Sequence, residues 1–295
     1  MTESSLIDKT SSSFARQQDA PTLGVCTICK NEEQDLPAFL DHLLPWVDEI
    51  VIVDDGSSDN SRQIIREAGP NVKLVKSAMD PATGFAGLRN RGIDEARSDW
   101  LLHTDIDERV PATLAKEILS AIEGEKFRAH RYRRLNFFLH RAMKGGGFQD
   151  WNKPQLAQRG FHRFENIVHE ECVVEGGDAV IGQLKEKIWH LNDDSYKERM
   201  YKSVEYCQEQ ARRLQKRGFK MRWWHLMVLP SLEFLRKYVK RHGYRDGTPG
   251  LMFALHSSTA MYKACCLVWD EQNRLPRSTV EQQINESYMF EDQDD

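Results

Sequence analysis

The alternation of short apolar runs with helical segments is the feature that most constrains this fold. From Leu23 onward, the apolar runs LGVCTIC, EIVIVDD, NVKLVK and DWLLHTD are separated by segments with helical periodicity. This alternation is typical of βαβ units, in which helices cover both faces of a parallel sheet. Right-handed crossovers bring the carboxyl ends of such strands to one edge, where α/β proteins bind ligands. The sequence therefore predicts an α/β fold with a mostly parallel sheet and flanking helices.

The pattern changes after the first half of the chain, where a predicted helix near Pro111 is followed by strands and hairpins with glycine turns, and then by helices. We expect a disordered Ser/Thr-rich tail over 1–20, a catalytic α/β domain over 21–192, a helical region over 193–272 and an acidic tail over 273–295. The start of the chain lacks the apolar run of a signal peptide. No uninterrupted apolar stretch is long enough for a transmembrane helix.

Composition and cysteine usage indicate an ordinary protein of a reducing compartment. A formal net charge of -4 gives no overall attraction to nucleic acid, and six cysteines in 295 residues do not form a disulfide scaffold. Cys26 and Cys29 form a CxxC inside an apolar strand, with no second pair at zinc spacing, so we interpret them as structural thiols. Reduced cysteines predict a cytosolic location.

Asp105 and Asp107 follow the fourth predicted strand as a D-x-D motif. Two carboxylates about 4 Å apart repel by roughly 4 kcal/mol at an effective dielectric near 20. A divalent cation removes this cost and can bind a diphosphate at the same time, and oxygen ligands suit Mg²⁺ or Mn²⁺. The alternative is a solvated acidic turn, but the position at a strand end of a βα series favours the metal site.

Asp54 and Asp55 end the second strand, where a carboxylate can accept hydrogen bonds from a base or a ribose. The alternative interpretation of DDGSSDNS is a turn and a helix cap, with Ser57 or Ser58 as the capping residue. Arg89 in GLRNRG offers a planar fork that suits phosphate oxygens, although an exposed helix face would also explain it.

The motifs CTICKNEE, DEIVIVDDGSSDNS and GLRNRGIDEARSDWLLHTDIDE, in this order, resemble the family 2 glycosyltransferases, which have the GT-A fold. The downstream segments HRFENIVHEECVV, KIWHLND and YRDGTPGLMFALHSSTAMYKAC are similar to the subgroup related to lipopolysaccharide core glucosyltransferases. The resemblance covers about Leu23 to Trp269.

The resemblance implies roles for particular residues. The donor pocket would use the end of the first strand and an aspartate of the second, which here are Thr27, Lys30, Glu33 and Asp54 or Asp55. In the D-x-D, Asp107 would hold the metal and Asp105 would face the sugar or ribose, with Asp105 also a candidate metal ligand. The Ile106 spacer departs slightly from the usual motif.

The inverting mechanism implied by the resemblance needs a carboxylate base for the acceptor hydroxyl. Glu170 in VHEE is the first choice and Glu171 the second, while His190 after KIW is the candidate third metal ligand. The alternatives are that His169 and His190 have structural roles and that Glu171 is a solvated residue of a hairpin. Arg89 would neutralise charge on the leaving group.

A basic, aromatic helix predicted from about Arg222 to His242 has two interpretations. Its apolar residues span most of the helical wheel, which favours core packing. Its cluster of Lys and Arg could instead contact anionic lipid headgroups while Trp and Leu enter the membrane interface.

The leading hypothesis is a metal-dependent, inverting glycosyltransferase that moves a hexose from a nucleotide sugar, with UDP the preferred nucleotide by resemblance. The acceptor would be a lipid-linked glycan or a polysaccharide or lipopolysaccharide core, and the location cytoplasmic or the inner face of the cytoplasmic membrane. A nucleotidyltransferase is the alternative enzyme, but CKNEEQDL lacks the expected glycine-rich loop. A non-catalytic nucleotide-sugar-binding protein is disfavoured by the intact D-x-D and VHEE, and nucleic-acid binding through KFRAHRYRR is weaker still.

Overall fold

The computed structural model describes residues 19–147, 150–167, 170–193 and 195–291. Most of the predicted N-terminal tail, His169 and the last four residues lie outside the described residues. A first compact unit ends at Asn192 and a second begins at Asp193, except that the short segment Lys144–Gly147 belongs to the second unit.

The first unit contains a mixed sheet and the helices that flank it. Its strands are β1 (Leu23–Cys29), β2 (Glu49–Asp54), β3 (Val72–Lys76), β4 (Trp100–His103), β5 (Glu108–Arg109), β6 (Ala129–Phe138), β7 (Arg141–Ala142), β8 (Asn152–Gln158), β9 (His162–Glu165), β10 (Glu171–Val174) and β11 (Ile181–Leu191). Its helices are α1 (Leu36–Leu43), α2 (Ser61–Glu67), α3 (Gly84–Glu95) and α4 (Ala112–Ile122), with a 3-10 turn at Gly177–Val180.

Nine strands form the main sheet in the order β3-β2-β1-β4-β8-β6-β11-β5, with β7 paired to β6, while β9 and β10 form a separate hairpin. β3, β2, β1 and β4 are parallel, as are β6 and β11. β8 runs antiparallel to both β4 and β6, so the sheet is mixed and not mostly parallel. The predicted α/β class is confirmed, and so is the helical extension that follows it.

The sheet is buried on both faces, which explains the continuous apolar runs of its parallel strands. Alternate residues of β1 enter different cores: Val25 packs with Phe39 of α1 on one face, and Cys26 packs with Leu88 of α3 on the other. Cys26 and Cys29 are buried free thiols, and burial raises the pKa of Cys29 to about 11. Both cysteines therefore serve packing, as the sequence predicted.

The second unit is helical and consists of α5 (Tyr196–Lys216), α6 (His225–Leu235), a π-helical turn (Arg236–Lys240), a 3-10 turn (Gly243–Asp246), α7 (Gly247–Asn273) and α8 (Arg277–Glu291). Its core is formed by Ala211, Met221, Ala264, Cys265 and Val268. α8 lies within the segment predicted as an acidic tail. By length and composition the continuous helical stretch Gly243–Asn273 could cross a membrane, and 44% of its most apolar window is buried inside the protein.

The spacing of six residues in the sequence predicts one apolar stripe along α5, and this stripe is only half buried: Tyr196, Met200, Val204, Cys207, Ala211 and Leu214. Ser195 caps the helix, and its hydroxyl accepts a hydrogen bond from the backbone N–H of Glu198. Toward the C-terminal end the predicted residues Cys207 and Ala211 are buried, but Met200 and Val204 near the start are exposed. The buried face there carries Arg199 instead, because its guanidinium pairs with the buried Asp193 at 3.2 Å. The stripe prediction was therefore wrong for the first two turns.

Candidate active site

The ends of β1 and β2 meet at the same edge of the sheet, as the sequence predicted. Lys30 follows β1 and its Nζ donates a hydrogen bond to Asp55 Oδ2 at 2.8 Å. The other oxygen of Asp55 accepts from the backbone N–H of Met79 at 2.7 Å. The Lys30 ammonium holds the pKa of Asp55 below its usual value. Lys30 itself is more than half exposed, so this pair lies at the solvent-exposed rim of the site, at the edge of the sheet.

Asp54 is fully buried and holds the turn after β2. Its carboxylate accepts hydrogen bonds from the N–H groups of Gly56 and Ser57 and from Arg62 Nε, the last at 2.6 Å. Burial alone would raise the pKa of Asp54, but the bonds from Ser57 and Arg62 outweigh burial and lower it. Of the two aspartates, Asp55 therefore lies nearer to the surface of this sheet edge.

The predicted cap on α2 is wrong, because neither Ser57 nor Ser58 caps this helix. The N-cap residue is Asn60, and it makes no side-chain capping bond. Ser57 Oγ instead accepts from the backbone N–H of Asn31 at 2.9 Å, which joins the loops after β1 and β2. Glu33 joins the same loops, since its carboxylate accepts from the backbone and side-chain nitrogens of Asn60.

Thr27 is buried in β1, and its hydroxyl donates to the carbonyl of Ile28 at 3.4 Å. It borders the same narrow gap as Arg89 and His103. Thr27 therefore lies beneath the exposed polar groups at this edge of the sheet.

Asp105 lies between two arginines. Arg89 Nη2 donates to its Oδ1 at 2.8 Å, and Arg134 Nη2 donates to its Oδ2 at 2.7 Å. Burial alone would raise the pKa of Asp105, but the two guanidinium charges hold it well below its usual range. Because both oxygens of Asp105 are engaged, the geometry does not support its predicted role as a metal ligand.

Glu170 and Glu171 differ sharply in position. Arg89 Nε donates to Glu170 Oε1 at 3.3 Å, so one guanidinium joins Glu170 to Asp105. Lys153 Nζ donates to the backbone carbonyl of Glu170 at 3.2 Å. Glu171 is an exposed residue of β10, opposite Glu165 in the hairpin. The structure therefore brings Glu170, and not Glu171, to the D-x-D.

Asp107 and His190 face each other beside this cluster. His190 Nε2 lies 3.0 Å from Asp107 Oδ2, and His190 Nδ1 lies 2.7 Å from Asn136 Oδ1. Burial alone would lower the pKa of His190, but the hydrogen bond and charge of Asp107 outweigh it and raise the pKa. Asp107 Oδ1 is buried without a hydrogen-bond partner among the described residues.

These residues fit a divalent cation. An Nδ1–H bond to Asn136 leaves Nε2 as the ligand atom, which is the usual arrangement behind a metal-binding histidine. The buried, unpaired oxygen of Asp107 supplies the hard ligand that Mg²⁺ or Mn²⁺ prefers. Within the described parts of the chain, no three His, Cys, Asp or Glu side chains form a metal-binding group. A site with two protein ligands leaves the other positions for phosphate and water.

The sequence indicated no site role for Glu108 or Arg134: the position of Glu108 before the helix near Pro111 predicted a loop residue, whereas the structure brings both side chains into the site. Glu108 is 1% exposed, and its Oε2 accepts from Thr104 Oγ1 at 3.0 Å and from the N–H of Asp105 at 2.9 Å. Its Oε1 lies 2.5 Å from Arg134 Nε. Arg134 in turn stacks over Trp151, with its guanidinium carbon 4.1 Å from the ring centre. The alternating Arg and aromatic residues of β6 were the only signal in the sequence.

The model of the family described as Glycosyl transferase family 2 matches residues 24–172, which is half of the chain. The lipopolysaccharide core biosynthesis glycosyltransferase LpsC of Rhizobium meliloti is 24% identical over 273 residues, covering 89% of this chain and 97% of the relative. An uncharacterized glycosyltransferase of Rickettsia felis is 27% identical over 232 residues, covering 72% of this chain and 78% of the relative.

Two solved structures are similar to this chain at low sequence identity. Glucosyl-3-phosphoglycerate synthase from Mycobacterium tuberculosis, in complex with Mn²⁺, UDP and glucosyl-3-phosphoglycerate, is 17% identical with a TM-score of 0.44, covering 72% of this chain and 85% of its own. TarS 1-349 of S. aureus in complex with UDP is 14% identical with a TM-score of 0.46, covering 86% of this chain and 93% of its own.

Proposed function

The chain belongs to glycosyl transferase family 2 and is a glycosyltransferase of the GT-A fold, and from this premise we propose its reaction. The enzyme moves a hexose from a nucleoside diphosphate sugar, for which we propose UDP, to a hydroxyl of a lipid-linked glycan or a lipopolysaccharide core. The reaction is metal-dependent and inverts the anomeric centre. The observation that carries this proposal is the Arg89 guanidinium, which joins Glu170 to Asp105 beside the Asp107 and His190 pair.

Asp107 and His190 would hold Mn²⁺ or Mg²⁺ in this proposal. When bound, the cation supplies positive charge that stabilises the departing nucleoside diphosphate. In this proposal Asp105 does not bind the cation, because both of its oxygens accept from arginines. Its carboxylate is held ionised by Arg89 and Arg134, and it faces the sugar or the ribose of the donor.

Glu170 is the proposed base that removes the proton of the acceptor hydroxyl. Its contact with Arg89 orients the carboxylate toward the D-x-D, and general-base catalysis of this kind contributes about 10² to 10⁴ in rate. Arg89 was predicted to neutralise the leaving group, but it is already bound to two carboxylates. We therefore propose that it positions Glu170 and Asp105.

The donor's nucleoside would lie over the ends of β1 and β2. Lys30 and Asp55 are the polar groups at this rim, and they are the proposed contacts. Thr27 lies beneath the pocket. Asp54 holds the turn after β2, and Glu33 joins the loops that follow β1 and β2.

Membership of the family removes the support for the nucleotidyltransferase alternative. The acceptor proposal draws on the relative from Rhizobium meliloti, which is described as acting in lipopolysaccharide core biosynthesis. An acceptor of that kind, together with a nucleotide-sugar donor, places the proposed reaction in the cytoplasm or at the inner face of the cytoplasmic membrane.

A donor screen tests the reaction class. Purified protein is incubated with UDP-, GDP-, ADP- and CMP-sugars in the presence of Mn²⁺, Mg²⁺ or EDTA, and release of the nucleotide is measured. We expect slow hydrolysis of a UDP-sugar that requires the metal. Equal release in EDTA would contradict the metal dependence, and release from another nucleotide sugar alone would contradict the choice of UDP.

The base is tested with a matched pair of variants. Glu170→Gln should reduce transfer to an accepted glycan by about 10² or more, because the proton of the hydroxyl has no acceptor. Glu171→Gln, one residue away and exposed, should stay close to the wild-type rate. Calorimetric donor binding should be the same for both variants. A reversed order of the two rates would transfer the role to Glu171.

A further inference from the structure

Helix α6 leaves much of its apolar surface exposed, although Leu226 and Leu229 pack against the core of the second unit. Its buried residues are His225, Pro230 and Glu233, and Glu233 is only 7% exposed although it carries a charge. By contrast, Met227 is 69% exposed and Leu232 is 55% exposed. A surface helix of a soluble protein normally has its apolar stripe toward the core, so an exposed apolar face of this size is unusual. The burial of Glu233 is explained by its bidentate pair with Arg236, at 2.8 Å for both contacts.

The exposed apolar residues form one continuous face, which we call the outer face of α6. Helical spacing places its members on the same side, and it extends through the π-helical turn that follows α6. Its members are all large and at least 40% exposed: Trp224, Met227, Val228, Leu232, Leu235 and Val239. Trp223, which is 77% exposed, precedes this face.

This segment is also strongly basic. Residues 220–245 contain seven Lys or Arg residues and one acidic residue, Glu233, although the whole chain has a net charge of -4. Glu233 is buried and already paired, and Lys240 next to the outer face is exposed. The solvent around this face therefore meets positive charge next to apolar surface.

We propose that the outer face of α6 binds an anionic lipid bilayer. Apolar side chains would enter the interface, Trp223 and Trp224 would lie at the headgroup level, and the basic residues would contact lipid phosphates. A second copy of this chain fits less well, because a symmetric dimer through this face would bring two basic segments together. Membrane binding would bring the proposed glycosyltransferase close to a lipid-linked acceptor. The test of membrane binding does not require catalysis.

The full-length protein is tested by co-sedimentation with vesicles. We expect binding to vesicles of phosphatidylglycerol and phosphatidylcholine, little binding to phosphatidylcholine alone, and release in 0.5 M NaCl because salt screens the attraction. Leu232→Gln with Leu235→Gln should weaken binding at least tenfold. Lys240→Glu should weaken binding to the anionic vesicles only.

The matched control is Val280→Gln with Ile284→Gln, which removes two similarly exposed apolar side chains from α8 and should leave binding unchanged. Circular dichroism of each variant shows whether it is folded. Donor hydrolysis by the outer-face variant should equal wild type, so failure of membrane binding is separable from failure of the proposed reaction. Equal binding of both double variants would overturn the proposal. So would a wild-type dimer, seen by light scattering, that the outer-face substitutions dissociate while no vesicle binding occurs.

Discussion

At the scale of single residues, the site is a chain of alternating charges. Glu170, Arg89, Asp105, Arg134 and Glu108 follow one another, and each neighbouring pair lies within 3.3 Å. Three carboxylates thus share two guanidinium groups. The two arginines therefore keep Asp105 ionised before any donor binds, and among the described residues no group hydrogen-bonds Asp107 Oδ1.

Substitution of Glu108 tests how much the buried ion pairs of the site contribute to the free energy of unfolding. Glu108→Gln keeps an acceptor for Thr104 and Asp105 but leaves Arg134 with one carboxylate fewer in a buried site. We expect a loss of about 3 kcal/mol in the free energy of unfolding, as for broken buried ion pairs. Glu95→Gln, which removes the solvent-accessible pairs with Lys73 and Arg91, should cost much less. Urea unfolding measures both, and equal losses would contradict the buried role of Glu108.

Substitution of Asp107, also at the scale of single residues, tests the proposed metal site. Asp107→Asn removes the charge that faces His190, so Mn²⁺-dependent binding of UDP should be lost by calorimetry. Binding of UDP in EDTA, which depends on the rim groups, should stay the same. Undiminished Mn²⁺-dependent affinity in the variant would contradict the assignment.

At the scale of elements, helix α1 is tied to the loop after the D-x-D by a neutral histidine. His42 Nδ1 lies 3.0 Å from the carbonyl oxygen of Ala38, and His42 Nε2 accepts from the backbone N–H of Val110 at 3.1 Å. Burial lowers the pKa of His42 to about 4. The contact between helix and loop therefore requires the uncharged ring.

This pKa predicts a pH dependence of stability. Because the folded pKa lies below the unfolded value of about 6.5, the unfolded state binds more protons, and stability falls as the pH drops from about 6.5 toward 4. His42 should contribute at most about 2 kcal/mol of this loss at pH 5. His42→Gln, compared with wild type at pH 7 and pH 5 by urea unfolding, should show the smaller loss. An identical pH dependence would place the pKa of His42 near its ordinary value.

At the scale of the whole molecule, the proposed site links ligand binding to stability. Among the described residues, two side chains, Asp107 and His190, are placed to hold the cation, so Mn²⁺ alone should stabilise the protein little. UDP and Mn²⁺ together, at about 100 times the dissociation constant, should add about 2.7 kcal/mol and raise the melting temperature by roughly 5 °C or more. Differential scanning fluorimetry measures the three conditions. A full shift with Mn²⁺ alone would indicate a metal site with more protein ligands.

The sequence by itself determined the features that depend on local order. The period of the apolar residues indicated which segments form strands and helices, and the crossover rule brought Lys30 and Asp55 to the same edge. The D-x-D was visible because its carboxylates are close in the chain. Family resemblance added His190 and Glu170, which spacing alone could not identify.

Only the tertiary structure decided which of the candidates are in contact. Glu170 and Glu171 are equivalent in the sequence, but the hairpin β9–β10 exposes one and the other meets Arg89. Arg134 reaches Asp105 because β8 lies between β4 and β6, an order of strands that no local pattern contains. The exposure of the outer face of α6 was also decided by the tertiary structure. Glu233 is buried in a pair with Arg236, while Met227 and Leu232 on the outer face are exposed.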